Sequence, residues 1–333
     1  MSCPPIIFLI FNRPQETARV FSAIRAARPA KLLVVADGPR DGRVGEAELC
    51  AQTRKVIDRV DWPCEVLRDF AQTNMGCGRR VSSGITRAFE QVETAIILED
   101  DCLPDPSFFP FCAELLKHYE NNEHVMMISG NNFQNGIRRT RYSYYFSHFP
   151  RIWGWASWRR AWQKYDFTMQ DWGARRQTSW VRSIVRDAIV ANYWNNWFDG
   201  AASRRIDTWA YQWTYTIWGA GGLAIVPNVN LVTNIGFGET ATHTRSVDAR
   251  FAVPSEPIEF PLRHPKKVSR CKAADRFEQR RLNEVSAIAR VHRAADPLLR
   301  LIRPHVEHTR LWTYARSRII SLGDRSREPL PDE

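Results

Sequence analysis

Apolar and polar positions alternate in blocks along the first 130 residues. Short apolar runs at 5–11 (PIIFLIF), 31–36 (KLLVVA), 94–98 and 125–129 (VMMIS) are too short for buried helices and rich in β-branched residues, which predicts buried strands, and a further strand is expected at 64–68. Between them, helical periodicity occupies 15–27, 46–60, the stretch running to Gln91 from Asn74-Met75-Gly76-Cys77-Gly78, and a segment from near Pro106 through Tyr119, with Asp105 as its N-cap. Strand, helix, strand, helix at this spacing predicts a mainly parallel, doubly wound α/β sheet with right-handed crossovers.

The second half changes character. A strand is expected at 142–146, helices at 154–165 and 180–193, and a Trp-rich helix at 207–218 that begins with an acid. Runs at 223–226 and 230–234 predict strands that extend the sheet, antiparallel pairing included. Gly236-Phe237-Gly238-Glu239-Thr240-Ala241 imitates a dinucleotide fingerprint, but polar Thr242-His243-Thr244-Arg245 follows it instead of a helix. Pro254, Pro257, Pro261 and Pro265 mark a connector, after which helices are expected at 273–293 and 298–322. The chain therefore divides into a domain of residues 1–252, with halves 1–130 and 131–252, a connector 253–272, and a basic helical extension 273–333.

Composition narrows the class. Hydrophobic content of 44% and charged content of 25% in 333 residues are ordinary for a globular protein, but thirteen Trp are not, and all except Trp62 and Trp312 fall between Trp153 and Trp218. Such a set serves either an aromatic core or stacking on sugar rings. Seven cysteines, odd in number and without a Cys-x-x-Cys pair, argue against a disulfide framework and structural zinc. No secretory leader is visible and no run approaches the roughly 18 apolar residues of a membrane span, so a cytoplasmic protein is expected. The net charge of +11 is concentrated late: residues 263–333 hold 17 Lys and Arg against 9 Asp and Glu. That extension is either a solvated helical surface or a peripheral contact with the inner membrane. His305 and His308 lack a third ligand nearby.

The candidate chemistry lies where strands should end. Glu99-Asp100-Asp101 follows the 94–98 run, and in open α/β sheets ligands bind outside the carboxyl ends of strands. There the triplet would hold a divalent cation bridging to phosphate; otherwise it is a solvated acidic turn. Arg13 ends the first strand in Asn12-Arg13-Pro14 and is placed to meet a base or phosphate. Asp37, before Gly38-Pro39, can accept hydrogen bonds from a base or ribose. Asn74, Gly76 and Gly78 open a helix whose N–H groups can approach a phosphate, with charge added by Arg79 or Arg80. The stretch has neither the third Gly of a dinucleotide fingerprint nor the Gly-Lys-Ser/Thr of a phosphate loop.

Taken together, a strand ending in Asn-Arg-Pro, one ending in Asp-Gly-Pro, Asn-x-Gly before a helix, and Leu98-Glu99-Asp100-Asp101-Cys102 followed by Asp105-Pro106-Ser107-Phe108-Phe109 resemble a GT-A glycosyltransferase. Within that class the pattern over about residues 5–245 is most similar to relatives of N-acetylglucosaminyltransferase I, including bacterial nucleotide-diphospho-sugar transferases. The resemblance implies a Rossmann-like GT-A fold with a Trp-rich acceptor side, and a nucleotide-diphosphate sugar as donor with Mn²⁺ or Mg²⁺. It implies Asp101 as the metal ligand, Glu99 and Asp100 on the donor's sugar and ribose, Asp37 on the base and Arg13 on the nucleotide. The family's base comes from an Asp-Asp-Trp sequence. Here the matching stretch is Arg205-Ile206-Asp207-Thr208-Trp209, with a single acid. His243, within a candidate lid of residues 236–244, is a second candidate metal ligand.

The chemistry is consistent with those residue types. Breaking a sugar–phosphate bond leaves a diphosphate of growing negative charge, which a carboxylate-held metal neutralises, and an oxocarbenium-like sugar. The acceptor hydroxyl must lose a proton to a second carboxylate across the sugar, which inverts the anomeric centre. Asp207 is the candidate. The acceptor would be a glycan, a lipid-linked sugar or a protein, in cell-surface glycan synthesis. Two alternatives remain: a sugar nucleotidyltransferase, although the Gly-rich loop usual after the first strand is absent, and a non-enzymatic basic protein that binds nucleic acid or lipid. Nucleic acid is not the expected partner, because carboxylates stand where its phosphates would approach.

Overall fold

A computed structural model describes residues 2–236 and 253–282. Its first half runs β1 (Ile6–Ile10), α1 (Pro14–Ala27), β2 (Lys31–Ala36), α2 (Glu46–Lys55), β3 (Glu65–Phe70), α3 (Cys77–Gln91) and β4 (Thr94–Glu99). The second half adds β5 (Cys102–Pro104), α4 (Phe108–His118), β6 (Val125–Ser129), β7 (Tyr144–Ser147), β8 (Trp155–Trp158), α5 (Arg159–Trp162), α6 (Trp172–Arg176), α7 (Trp180–Val185) and α8 (Ala188–Ala202). It closes with α9 (Ala210–Gly219), β9 (Leu223–Pro227), β10 (Val232–Asn234) and α10 (Lys272–Leu282).

Eight strands form one sheet in the order β3-β2-β1-β4-β8-β6-β9-β7. The pairs β1·β2, β2·β3, β1·β4 and β6·β9 are parallel, while β8 runs against β4 and β6, and β7 against β9. The sheet is thus mainly parallel. It is wound on both faces: Val20, Phe21 and Ile24 of α1 and Phe108, Phe111 and Leu115 of α4 pack with Ile6, Phe8, Leu32 and Val34 on one side. On the other, Ile85 and Phe89 of α3 and Trp213 and Ile217 of α9 pack with Ile7, Leu9, Leu33 and Val35. Strands covered on both faces carry the continuous apolar runs seen in the sequence.

This order has a topological switch. From β1 the chain passes through α1 to β2 on one side, and it returns through α3 over the opposite face to β4 on the other. The loops after β1 and β4 therefore part, and a crevice opens at their carboxyl ends.

Four expectations are corrected. The expected helix at 154–165 instead holds the strand β8, central between β4 and β6 with all four of its residues buried, and only the short α5 after it is helical. Burial on both sheet faces overrides the local pattern there. The helix expected at 180–193 is two: Arg186, at φ 56°, ends α7, and Asp187 then caps α8 by accepting hydrogen bonds from Ile189 and Val190. The strand expected at 230–234 does not join the main sheet; β10 pairs antiparallel with β5, which the sequence pattern did not signal. Asp105 does not cap α4, which begins after Ser107, and its carboxylate instead accepts from the Ser107 N–H at 2.8 Å.

The Trp residues are mainly core. Trp155 is fully buried and stacks on Trp209 at 5.6 Å, and Trp213 lies 5.0 Å from Trp162. α10 docks by a polar face: Glu278 pairs with Arg151 at 2.6 Å, Asp275 with Arg270, and Trp194 donates to Gln279 at 3.0 Å. Its Lys272, Arg276 and Arg280 face outward. Among the described residues no helix is long and apolar enough to cross a membrane. The expected helix at 298–322, the remainder of the basic extension, His243, Glu239, His305 and His308 lie outside the described residues.

Candidate active site

A cleft of about 300 Å³ opens at the switch point and is lined by Arg13, Asp37, Asn74, Gly76, Glu99, Asp100, Asp101 and Asp207. Eight residues singled out in the sequence, from five separate segments, thus share one cavity. Arg79 is not among them. It is exposed, while Arg80 is turned inward and lines the cleft. Arg80 nevertheless is committed to structure, donating to the Ala36 carbonyl at 3.0 Å and to Asp69 at 3.1 Å.

Asp37 and Asn74 knit the loops after β2 and β3. Asp37 Oδ1 accepts from the Gly38 and Met75 N–H groups at 2.8 and 2.9 Å, and its Oδ2 from Asn74 Nδ2 at 3.1 Å. Asn74 Nδ2 also reaches the Gly38 carbonyl at 3.0 Å, and its Oδ1 accepts from the Gly76 N–H at 3.2 Å. Burial raises the Asp37 carboxyl above its ordinary range against the pull of those N–H donors. The pair forms one rigid polar shelf.

Arg13 stands between the two acids that follow β4. Its guanidinium donates to Asp101 Oδ2 at 2.7 Å and lies 3.9 Å from Asp100 Oδ1, while Asp100 Oδ2 accepts from the Phe11 N–H at 3.1 Å. Burial first, and Asp101 beside it second, push the Asp100 carboxyl up to about 7, with Arg13 opposing. Gly236 closes over this pair: a Cβ there would collide with the Asp101 carboxylate and approach Arg13 Nη1 to 2.8 Å. The register of β10 on β5 and the Ile235 N–H bond to the Asp101 carbonyl at 2.8 Å hold Gly236 in place.

Asp207 is fixed from several sides. Its Oδ1 accepts from the Gly78 N–H at 2.9 Å, at the start of α3, where the helix dipole favours negative charge. Gly76, at φ 81°, has no side chain because a Cβ would lie 2.6 Å from Asp207 Oδ2. Two residues on, Trp209 stacks on Trp155 and its carbonyl accepts from Tyr165 Oη at 3.1 Å. The aromatic cluster thus serves as the footing of a carboxylate that reaches into the cleft.

Several lining residues were not singled out as site residues in the sequence: Asn12, Arg40, Trp153, Thr208 and Gly236. Glu46, buried at the start of α2, organises two of them. It accepts from Asn12 Nδ2 at 3.0 Å and from the Arg40 N–H at 2.7 Å, pairs with the Arg40 side chain, and is held below the usual carboxylate range chiefly by that pairing. An acid in a helix's first turn is common, so no local signal marked Glu46.

The acidic pair suits a divalent cation by its chemistry. Among the described residues no three His, Cys, Asp or Glu side chains converge into a closed cage. Mg²⁺ and Mn²⁺ acting on phosphates need only one or two carboxylate oxygens, with phosphate and water completing the shell. The Arg13 guanidinium already stands as a cation between Asp100 and Asp101.

No protein-family model matches the chain, and no curated protein matches it. Solved structures similar to parts of it include GalNAc-T7 with UDP, GalNAc and Mn²⁺, at 10% identity and a TM-score of 0.41, covering 68% of this chain and 43% of that one. Another is the mannosyltransferase PcManGT from Pyrobaculum calidifontis in complex with GDP-Man and Mn²⁺, at 10% identity and 0.34, covering 66% and 69%. A third is a cytidylyltransferase from Leptospira borgpetersenii serovar Hardjo-bovis, at 10% identity and 0.31, covering 49% and 64%. These overlaps are loose, and the fold stands on the strand order given above.

Proposed function

We propose that the chain is a GT-A glycosyltransferase, related to the N-acetylglucosaminyltransferase I group, that moves a sugar from a nucleotide diphosphate to a hydroxyl acceptor with inversion. The observation that carries this reading is the convergence of Arg13, the Asp37–Asn74 shelf, Asp100–Asp101 and Asp207 on one cleft at the sheet's switch point.

Asp37 and Asn74 present fixed polar edges to a base or ribose, and Arg13 presents charge to the diphosphate. Asp101 would hold Mn²⁺ or Mg²⁺, which would supply neutralisation of the departing diphosphate. Glu99 and Asp100 face the sugar end. Asp207, anchored by Gly78 through one oxygen, takes the proton from the acceptor hydroxyl. Trp153, which also lines the cleft, offers an aromatic face to a sugar ring. The acceptor would be a glycan, a lipid-linked sugar or a protein. A cytoplasmic enzyme touching the inner membrane through its basic extension is supported by the outward Lys272, Arg276 and Arg280 of α10.

The test is a thermal-shift screen of nucleoside diphosphates with Mn²⁺ and Mg²⁺, followed by sugar-nucleotide turnover. One nucleotide should stabilise the protein in a metal-dependent way, and Asp101→Ala should abolish both that response and transfer. Full turnover in chelator, or pyrophosphate release from a nucleoside triphosphate in place of transfer, would overturn the reading.

A further inference from the structure

Arg13 and Asp101 raise a question the proposed function leaves open: the carboxylate assigned to a divalent cation is already paired with a cation of the protein's own. One guanidinium serves two adjacent acids, at 2.7 Å from Asp101 and 3.9 Å from Asp100. The three side chains are only 16%, 16% and 11% exposed for Arg13, Asp101 and Asp100, so water screens them poorly. Gly236 packs against both Asp101 and Arg13 where any Cβ would collide.

From this geometry we infer that Arg13 is a resident counter-ion that must release Asp101 before a divalent cation can bind it. The inference rests on the metal assignment made above. Asp101, the carboxylate that would hold the divalent ion, already accepts from the guanidinium through Oδ2 at 2.7 Å. Two cations that close repel strongly unless an anion comes between them. The donor's diphosphate would be that anion: it would give Arg13 a new partner through a bidentate-capable fork and would supply further oxygens to the ion. Metal and diphosphate therefore bind cooperatively, each tightening the other by the same factor. Without diphosphate, Arg13 holds the acidic pair closed against metal.

The experiment uses the full chain, Mn²⁺ followed by electron paramagnetic resonance or calorimetry, and inorganic pyrophosphate as a base-independent probe. In the wild type, pyrophosphate should tighten Mn²⁺ binding by about tenfold or more, within the usual range for coupled sites. Arg13→Met removes the charge at similar length and should bind Mn²⁺ alone about tenfold more tightly, so that pyrophosphate tightens Mn²⁺ binding clearly less than in the wild type, with only the part due to its own oxygens on the metal left. Arg13→Lys, which keeps the charge, should behave more like the wild type. If Asp101→Asn binds Mn²⁺ as the wild type does, the metal assignment itself fails. If Mn²⁺ binding depends on Asp101 but Arg13→Met leaves the metal-only affinity unchanged or weaker, the counter-ion inference alone is overturned. Absence of Mn²⁺–pyrophosphate coupling in the wild type overturns it without any variant.

Discussion

Gly78→Ala separates local preference from the demands of the cleft. In the first turn of α3, replacing Gly by Ala should gain up to about 1 kcal/mol in helix propensity. The added Cβ, however, would lie 2.7 Å from the Thr208 carbonyl oxygen, 2.8 Å from Asp207 Oδ1 and 3.0 Å from the Thr208 nitrogen. An ordinary contact begins near 3.4 Å, so the strand of chain carrying Asp207 must retreat by about 0.7 Å. It has little freedom to do so, because the Thr208 carbonyl accepts from buried Gln212 at 2.8 Å and Trp209 is stacked on Trp155. Overpacking of this kind costs about 1–3 kcal/mol, for a net loss of stability of about 0–2 kcal/mol. The effect on chemistry should be larger, since misplacing a reacting group by about 1 Å costs on the order of a hundredfold. A fall of about thirtyfold in kcat/KM is expected, equal to about 2 kcal/mol of transition-state stabilisation. The assay is release of nucleoside diphosphate from the donor, with nucleotide affinity and melting measured in parallel. Gly173→Ala is the control: on α6 with no atom within 4 Å of its would-be Cβ, it should keep full activity. A folded Gly78→Ala protein with turnover within about twofold of wild type would show that the position of Asp207 does not govern the reaction.

Asp207→Asn keeps an oxygen for the Gly78 N–H and should leave nucleotide affinity within a few-fold while lowering turnover at least about a hundredfold; unchanged turnover would transfer the base role elsewhere. Glu278→Ala strands the part-buried Arg151 guanidinium and should cost about 3 kcal/mol, read in chemical denaturation, whereas a loss below about 1 kcal/mol would mean that α10 contributes little there. His148, half-buried beside Arg270, has its imidazole pKa lowered to about 4, by burial first and that charge second. Its folded pKa lies below the unfolded value of about 6.5, so the unfolded chain takes up the proton first as pH falls. The stability linked to His148 should therefore be complete above about pH 6.5 and decline toward pH 4, by less than about 1.4 kcal/mol per pH unit because the ring is part-exposed. His148→Gln should flatten that limb of the denaturation-against-pH curve, and an equal slope in both proteins would contradict the assignment.

What the sequence disclosed follows from where each signal is local. Strands β1, β2 and β4 each lie under helices on both faces, so each had to be a continuous apolar run, whereas the edge strand β3 is half-exposed; the polar residues after all four strands had to fall at the same edge of the sheet. Arg13, Asp37, Asn74 and Asp100–Asp101 could be read for that reason. Choosing between Arg79 and Arg80 could not be done that way, since adjacent helix positions differ by about 100° and only packing decides which turns inward. The strand β8 was mistaken for a helix because its identity depends on pairing with β4 and β6, segments some 60 residues and 30 residues away that local periodicity does not report. Asp187 as an N-cap was a local signal and was legible in principle. Glu46 and Gly236 were not, because their value lies in contacts with Asn12, Arg40 and Asp101 across the fold.

The aromatic half shows the same distinction in functional form. A cluster of Trp invites the idea of a sugar-binding surface, yet Trp155, Trp162, Trp209 and Trp213 pack on one another beneath the sheet, and Trp153 alone of the Trp side chains lines the cleft among the described residues. Their use is mechanical. A carboxylate 129 residues from Gly78 in sequence must be held against the start of α3 with an oxygen at 2.9 Å, and the segment bearing it lacks strand or helix structure of its own. Large rings lose few rotamers on burial and fill space to crystal-like density, so a stack of them turns an irregular segment into a fixed one. On this argument Trp209→Leu should disturb turnover through displacement of Asp207 while leaving the nucleotide shelf of Asp37 and Asn74 intact. A fall in nucleotide affinity as large as the fall in turnover would instead make the stack a support for the whole cleft.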